Sequence, residues 1–175
     1  GAERIPHLAK VAKDKGVTIY TETKGTEILV DSSGKVVGAK AEQTDGTQIT
    51  INTKNGVILA TGGYCANPKM VKEYDQYWGD DLSDRTLSTN MGTNEGDGII
   101  MAQAIGADVT GMEVAQMMPS SSPVKGTMTD GIWADAAEQI WIDGNGNRFV
   151  NEYAERDVLA KSSLALEDGI FYIIY

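Results

Sequence analysis

Residues 56 to 64 read GVILATGGY, and no other stretch constrains the chain so tightly. Gly56 to Ala60 is a continuous apolar run without polar alternation. That is the pattern of a strand buried on both faces, and such strands belong to parallel sheets covered by helices. The run ends in Thr61, Gly62 and Gly63, where missing Cβ atoms let a flat or phosphate-bearing ligand come close to backbone N–H groups. An ordinary strand-to-loop turn uses the same residue types, so the feature argues for a topology before it argues for a ligand.

The segments around it alternate in character. From Glu3 to Asp14 the apolar residues Ile5, Leu8, Ala9 and Ala12 recur at helical spacing, and Gly16 is placed to end that helix. Val17 to Thr21 reads as a strand. Glu27 to Val30, Val36 to Ala41 and Thr47 to Asn52 are three short extended runs, separated by SSGK and TDGT turns, and together predict an antiparallel meander over about residues 25–53. Asn67 and Pro68 open a helix that runs to about Tyr74. Asp75 to Asn94 is polar and without period, which predicts a long loop of functional kind. A further helix is expected from Gly98 to Ile105, with Asp97 as N-cap and Gly106 as its stop. Residues 107–130, with Pro119 and Pro123, read as an irregular connector. A strand from Gln139 to Ile142, a DGNGN turn, a helix from Tyr153 to Leu166 and an apolar strand in GIFYIIY complete the chain. The first helix and the interior strand both call for partners, and the last strand is apolar up to the final residue. On those grounds the chain reads as an internal piece of a larger protein.

Charge and composition narrow the partners. Fifteen Lys and Arg against 25 Asp and Glu give a formal charge of −10, which repels nucleic-acid phosphates and anionic lipid alike. No apolar run approaches the roughly 20 residues that a spanning helix needs, so no membrane span is expected. Cys65 is the single cysteine and His7 the single histidine; an intrachain disulfide is impossible and a Cys/His zinc site is not expected. Compartment is left open by these residues.

Two further segments carry chemistry. In NEGDGI, Asn94 to Ile99, glycines flank Asp97 just ahead of a helix whose N-terminal end favours an anion or a polar ring edge; a plain capped helix reads the same way. In GNRFVNEYAERD, Gly146 to Asp157, two arginines are able to clamp a carboxylate and two glutamates to position them, although an Arg four residues from Glu152 also suits a surface ion pair.

Taken in order, VILATGGY, STNMGTNEGDGIIMAQAIGA, MEVAQMMP and GNRFVNEYAERD resemble the flavoprotein family of soluble fumarate reductases, flavocytochrome c and urocanate reductase, relatives of succinate dehydrogenase flavoproteins. The resemblance spans nearly the whole chain. It implies an α/β fold: part of a Rossmann-like FAD-binding domain over residues 1–106 with the meander inserted, then the first part of an α+β capping domain over residues 107–175. It implies FAD as cofactor, with Ala60, Thr61, Gly62 and Gly63 lining it and Asn90, Gly96 and Asp97 as a second contact region. It implies that Arg156 is the catalytic arginine, supplying a proton or its electrostatic equivalent while flavin delivers hydride to an activated C=C bond of an unsaturated carboxylate. A guanidinium is almost always protonated, so stabilisation of transition-state charge is the more conservative of the two roles.

The chain also departs from that pattern. Met118 stands where fumarate reductases carry His before Pro, and GIWAD, residues 131–135, stands where they carry a Thr-Glu pair and a further Arg; Trp133 and Asp135 take those places. Met118, Trp133 and Asp135 are therefore the candidate substrate contacts, and an Asp there disfavours a second carboxylate. Core packing accounts equally for Met118 and Trp133. The GXGXXG dinucleotide fingerprint is absent from all 175 residues, which predicts that the isolated chain holds FAD weakly or not at all and is inactive alone. No residue pattern marks a haem, an iron–sulfur cluster or a covalent flavin link, so the electron donor is unassigned. Two rivals use the same residues: dehydrogenation by an oxosteroid-type flavoenzyme, and a non-catalytic acidic domain whose glycine turns are structural.

Overall fold

The computed structural model describes residues 4–83, 86–126, 128 and 135–175, and these fall into two compact units. The first comprises residues 1–60 with 101–107, the second residues 61–100 with 108–175.

The first unit holds helix α1 (Arg4–Asp14) and a three-stranded antiparallel sheet in the order β1 (Thr23–Val30), β2 (Val36–Gln43), β3 (Gln48–Asn52). The expected meander is present, with β1 longer than the apolar run alone suggests. Its turns are set by aspartates. Asp31 Oδ1 accepts from the Ser33 and Lys35 N–H groups and from the Ser33 hydroxyl, and Asp45 Oδ1 accepts from the Thr47 N–H at 2.9 Å. Donated hydrogen bonds favour the charged carboxylate, so both aspartates titrate below their ordinary range, led in each case by the side-chain hydroxyl bond from Ser33 and from Thr47 respectively. Gly38 sits in the middle of β2, where a Cβ would strike the Ile51 carbonyl of β3; only glycine lets the two strands approach. Ile28 and Ala41 are buried on the sheet, and Lys40 pairs with Glu27 directly across from it at 2.7 Å.

Val17 to Thr21 and Gly56 to Ala60 depart from expectation. Neither joins a ladder among the described residues, and Ile58 is 93% exposed. A strand is defined by hydrogen bonds to a neighbour, and an apolar run by itself supplies only the inclination.

The second unit packs around Tyr64, Met70, Val71, Trp78, Leu82, Met112 and Ala160. Helix α2 (Pro68–Tyr74) contributes Met70 and Val71 and starts as expected, with Asn67 accepting from the Met70 N–H at 3.2 Å. Helix α3 (Asp97–Ala104), whose residues from Met101 on belong to the first unit, begins with Asp97 inside its first turn, one residue earlier than expected, and Gly106 follows its end with φ +90°. A two-stranded antiparallel sheet pairs β4 (Ile140–Ile142) with β5 (Tyr172–Ile174), and helix α4 (Arg156–Leu164) lies between them in sequence. Stacked Trp141 and Phe171, 4.6 Å between centroids, and edge-on Phe149 cover that sheet.

Candidate functional site

The small-residue turn and the NEGDG segment, thirty residues apart in sequence, are brought face to face within the second unit. Gly96 donates its N–H to the Gly63 carbonyl at 3.1 Å, and Ala66 donates to the Asn94 carbonyl at 2.9 Å. The approach is closer than side chains allow. A Cβ on Gly62 would stand 2.7 Å from Asn94 Oδ1, one on Gly96 2.6 Å from Met70 Sδ, and one on Gly98 would collide with the Thr61 hydroxyl. Gly62 and Gly96 also have φ of +76° and +88°, the left-handed region that glycine occupies without steric cost. Asn67 ties the scaffold together: its Oδ1 caps α2 while its Nδ2 donates to the Glu95 carbonyl at 3.1 Å.

Thr61, Gly62 and Gly63 face solvent, and a Cβ on Gly63 would meet nothing within 4 Å. The turn thus has the bare, accessible backbone that a flat ring or a phosphate needs for close approach. Of the cofactor residues expected from sequence, Thr61, Gly62, Gly63 and Gly96 meet at this place, with Asp97 next along the chain. Asn90 adjoins through a long contact from Asn94 Nδ2 at 3.5 Å. Ala60 is the exposed last residue of the first unit's leading segment.

The two arginines of GNRFVNEYAERD have different surroundings. Arg148 grips Glu152 through Nε at 3.1 Å and Nη2 at 2.5 Å, and Glu152, buried, also accepts the Trp141 N–H at 2.8 Å. Chiefly through the Arg148 guanidinium, and then through that backbone bond, the Glu152 carboxyl is held down at about 2. Arg148 is thus committed to structure. Arg156, the first residue of α4, is exposed; among the described residues it has no carboxylate partner, and its Nη1 lies 3.7 Å from Met118 Sδ. A thioether is a weak acceptor, so this contact leaves the guanidinium's donors available to a stronger one.

Met118 is placed by the MEVAQMMP link, whose backbone is pinned three times: Tyr64 Oη donates to the Met112 carbonyl at 2.6 Å, the Gln76 N–H to Glu113 at 3.0 Å, and Trp78 Nε1 to Ala115 at 2.6 Å. Asp135 Oδ1 accepts the Ala137 N–H at 3.0 Å and so caps a short 3₁₀ turn over Ala136–Glu138. Trp133 lies outside the described residues. The sequence does not mark Asn67 as part of this site, and it includes Asn94 only as the first residue of NEGDGI. The Asx-Pro signal of Asn67 indicates a helix start, and only the fold reveals its second bond.

Residues 2–170 match the profile of the family described as FAD binding domain. The chain belongs to the FAD-binding domain family. It is 37% identical over 174 residues to the NADH:acrylate oxidoreductase of Vibrio harveyi, covering 99% of itself and 17% of that protein. It is 32% identical over 162 residues to the urocanate reductase of Eggerthella lenta, covering 92% of itself and 26% of that enzyme. Among solved structures it superposes on the open conformation of a flavocytochrome c3 fumarate reductase with a TM-score of 0.79 and 27% identity, covering 97% of itself and 29% of that chain. FAD is the cofactor of the family, and the bare turn at Thr61–Gly63 suits it. No helix among the described residues is long and apolar enough to cross a membrane.

Proposed function

We propose that this chain is part of an FAD-dependent oxidoreductase that saturates an activated C=C bond of an unsaturated carboxylate, with Arg156 beside the reacting carbons. The observation that carries the reading is the contrast between the two arginines: Arg148 is neutralised by buried Glu152, whereas Arg156 stands exposed and without a carboxylate partner among the described residues, against Met118. The likeness to acrylate and urocanate reductases supports the substrate class.

Thr61, Gly62 and Gly63 would hold FAD through their close-approaching backbone, and Asn90, Gly96 and Asp97 would form the second contact. When bound, the flavin supplies the two electrons of the reduction. Arg156 binds the substrate carboxylate or the charge that develops on it as the double bond is reduced, a stabilisation of the oxyanion type. Met118 presents no N–H or O–H donor, so a second carboxylate on the substrate finds no partner there; a monocarboxylate such as acrylate or urocanate suits the site better than fumarate. Residues 1–106 would belong to the cofactor domain and residues 107–175 to a domain that closes over it and excludes water.

The test is turnover by the full-length enzyme on acrylate, urocanate and fumarate, with reduced methyl viologen as donor. Arg156→Ala is expected to lower kcat/KM on the preferred substrate by about 100-fold or more, the loss typical of one preorganised oxyanion donor, with bound flavin absorbance unchanged. Wild-type rates in that variant would remove Arg156 from the chemistry.

A further inference from the structure

The first turn of α4, which carries Arg156, is fastened from outside the helix. Its N-cap residue, Glu155, makes no capping side-chain hydrogen bond. Instead Tyr77, eighty residues earlier, donates its hydroxyl to Asp157 Oδ2 at 2.5 Å. One turn further along, Lys161 Nζ lies 4.2 Å from the centre of the Tyr77 ring and 5.6 Å from that of Trp78. The tyrosine thus meets α4 at two places.

The platform that presents Tyr77 is itself held by hydrogen bonds and burial. Asp75 accepts from the N–H groups of Tyr77, Trp78 and Gly79, and the Gln76 N–H bonds to Glu113. Trp78 is buried in the core with its indole N–H on Ala115. The same platform therefore anchors the link that leads to Met118 and the helix turn that bears Arg156. Adjacent residues on a helix point about 100° apart, so pinning Asp157 fixes the direction in which Arg156 leaves the helix.

We propose that Tyr77 and Asp157 are positioning residues that hold Arg156 at its working place beside Met118. The proposal rests on the reading of Arg156 as the catalytic arginine. The hydrogen bond lowers the Asp157 carboxyl and raises the Tyr77 phenol from their ordinary values, so the pair stays carboxylate and phenol across the neutral range. A fastening of this kind acts on rate more than on substrate affinity, because small misplacements of a catalytic group are felt chiefly in the transition state.

The experiment is a double-mutant cycle in the full-length flavoenzyme, assayed on whichever of acrylate and urocanate the wild type reduces faster. Tyr77→Phe keeps the ring under Lys161 and removes only the hydroxyl; it and Asp157→Ala are each expected to lower kcat about tenfold with KM within about twofold, flavin content and melting temperature unchanged. The double variant is expected to lose no more than either single one, and Asp157→Asn, whose amide oxygen still accepts the hydroxyl, to recover most of the rate. A wild-type kcat for Tyr77→Phe where Arg156→Ala is inactive, or fully additive losses, would overturn the proposal and leave the reading of Arg156 intact. Wild-type turnover in Arg156→Ala would overturn both.

Discussion

Gly96 shows what a single missing Cβ contributes. Its φ of +88° and the atoms at 2.6 Å and 2.9 Å, Met70 Sδ and Tyr64 Cβ, combine backbone strain with a clash in the core of the second unit. Gly34 has nearly the same φ, +84°, but nothing within 4 Å. Gly96→Ala is accordingly expected to destabilise by about 2 kcal/mol or more, and Gly34→Ala by about 1 kcal/mol, read from urea midpoints. Equal shifts would show that strain alone matters. The glycines of NEGDG were visible in the sequence as flanking a helix start, which suits a ligand or a plain cap alike; that Gly62, Gly96 and Gly98 press on Asn94, Met70 and Thr61 was not, because which residue lies opposite a glycine is a property of the folded chain.

Among the elements, the segment between β4 and α4 illustrates how a local Asx turn overrides helical periodicity. The helix expected from Tyr153 begins at Arg156, since Asn151 accepts from the Tyr153 N–H at 3.2 Å and the Ala154 N–H returns to the Asn151 carbonyl, a turn that ends before the helix can start. Glu152 pairs with Arg148 at the four-residue spacing that suits an ion pair, and it also accepts the Trp141 N–H, a bond no spacing rule foretells. Its carboxyl is lowered from the ordinary 4.5 to about 2, so the stability it contributes is present in full above about pH 4.5 and is lost as pH falls toward 2. Glu152→Gln is expected to flatten the acid limb of a stability-against-pH curve within that window. An unchanged limb would mean that the pair forms equally well in the unfolded chain. The meander, by contrast, was legible in its strand order and turns though not in its strand ends, because Asp-led turns and β-branched runs act over a few positions.

For the molecule as a whole, the first unit buries little: Ile28 and Ala41 lie inside, while Ile5, Leu8, Val17, Ile19, Tyr20, Ile58 and Leu59 are all exposed. Surface of that extent is a docking liability in a chain standing alone. The 175 residues in isolation are expected to bind a hydrophobic dye such as ANS and to hold FAD at least about 100-fold more weakly than the full-length enzyme, measured by flavin fluorescence titration; tight stoichiometric FAD binding by the isolated chain would refute this. What the sequence by itself determined is local or compositional: the meander, the helix starts at Asn67 and around Asp97, the acidity that repels phosphate and the small residues that bare a backbone. What only the tertiary structure decided is pairing at a distance. It set Gly63 against Gly96, left Arg156 beside Met118 and brought Tyr77 to Asp157, because hydrogen bonds and contacts between segments dozens of residues apart depend on how the chain closes on itself, and no local pattern of residues encodes them one pair at a time.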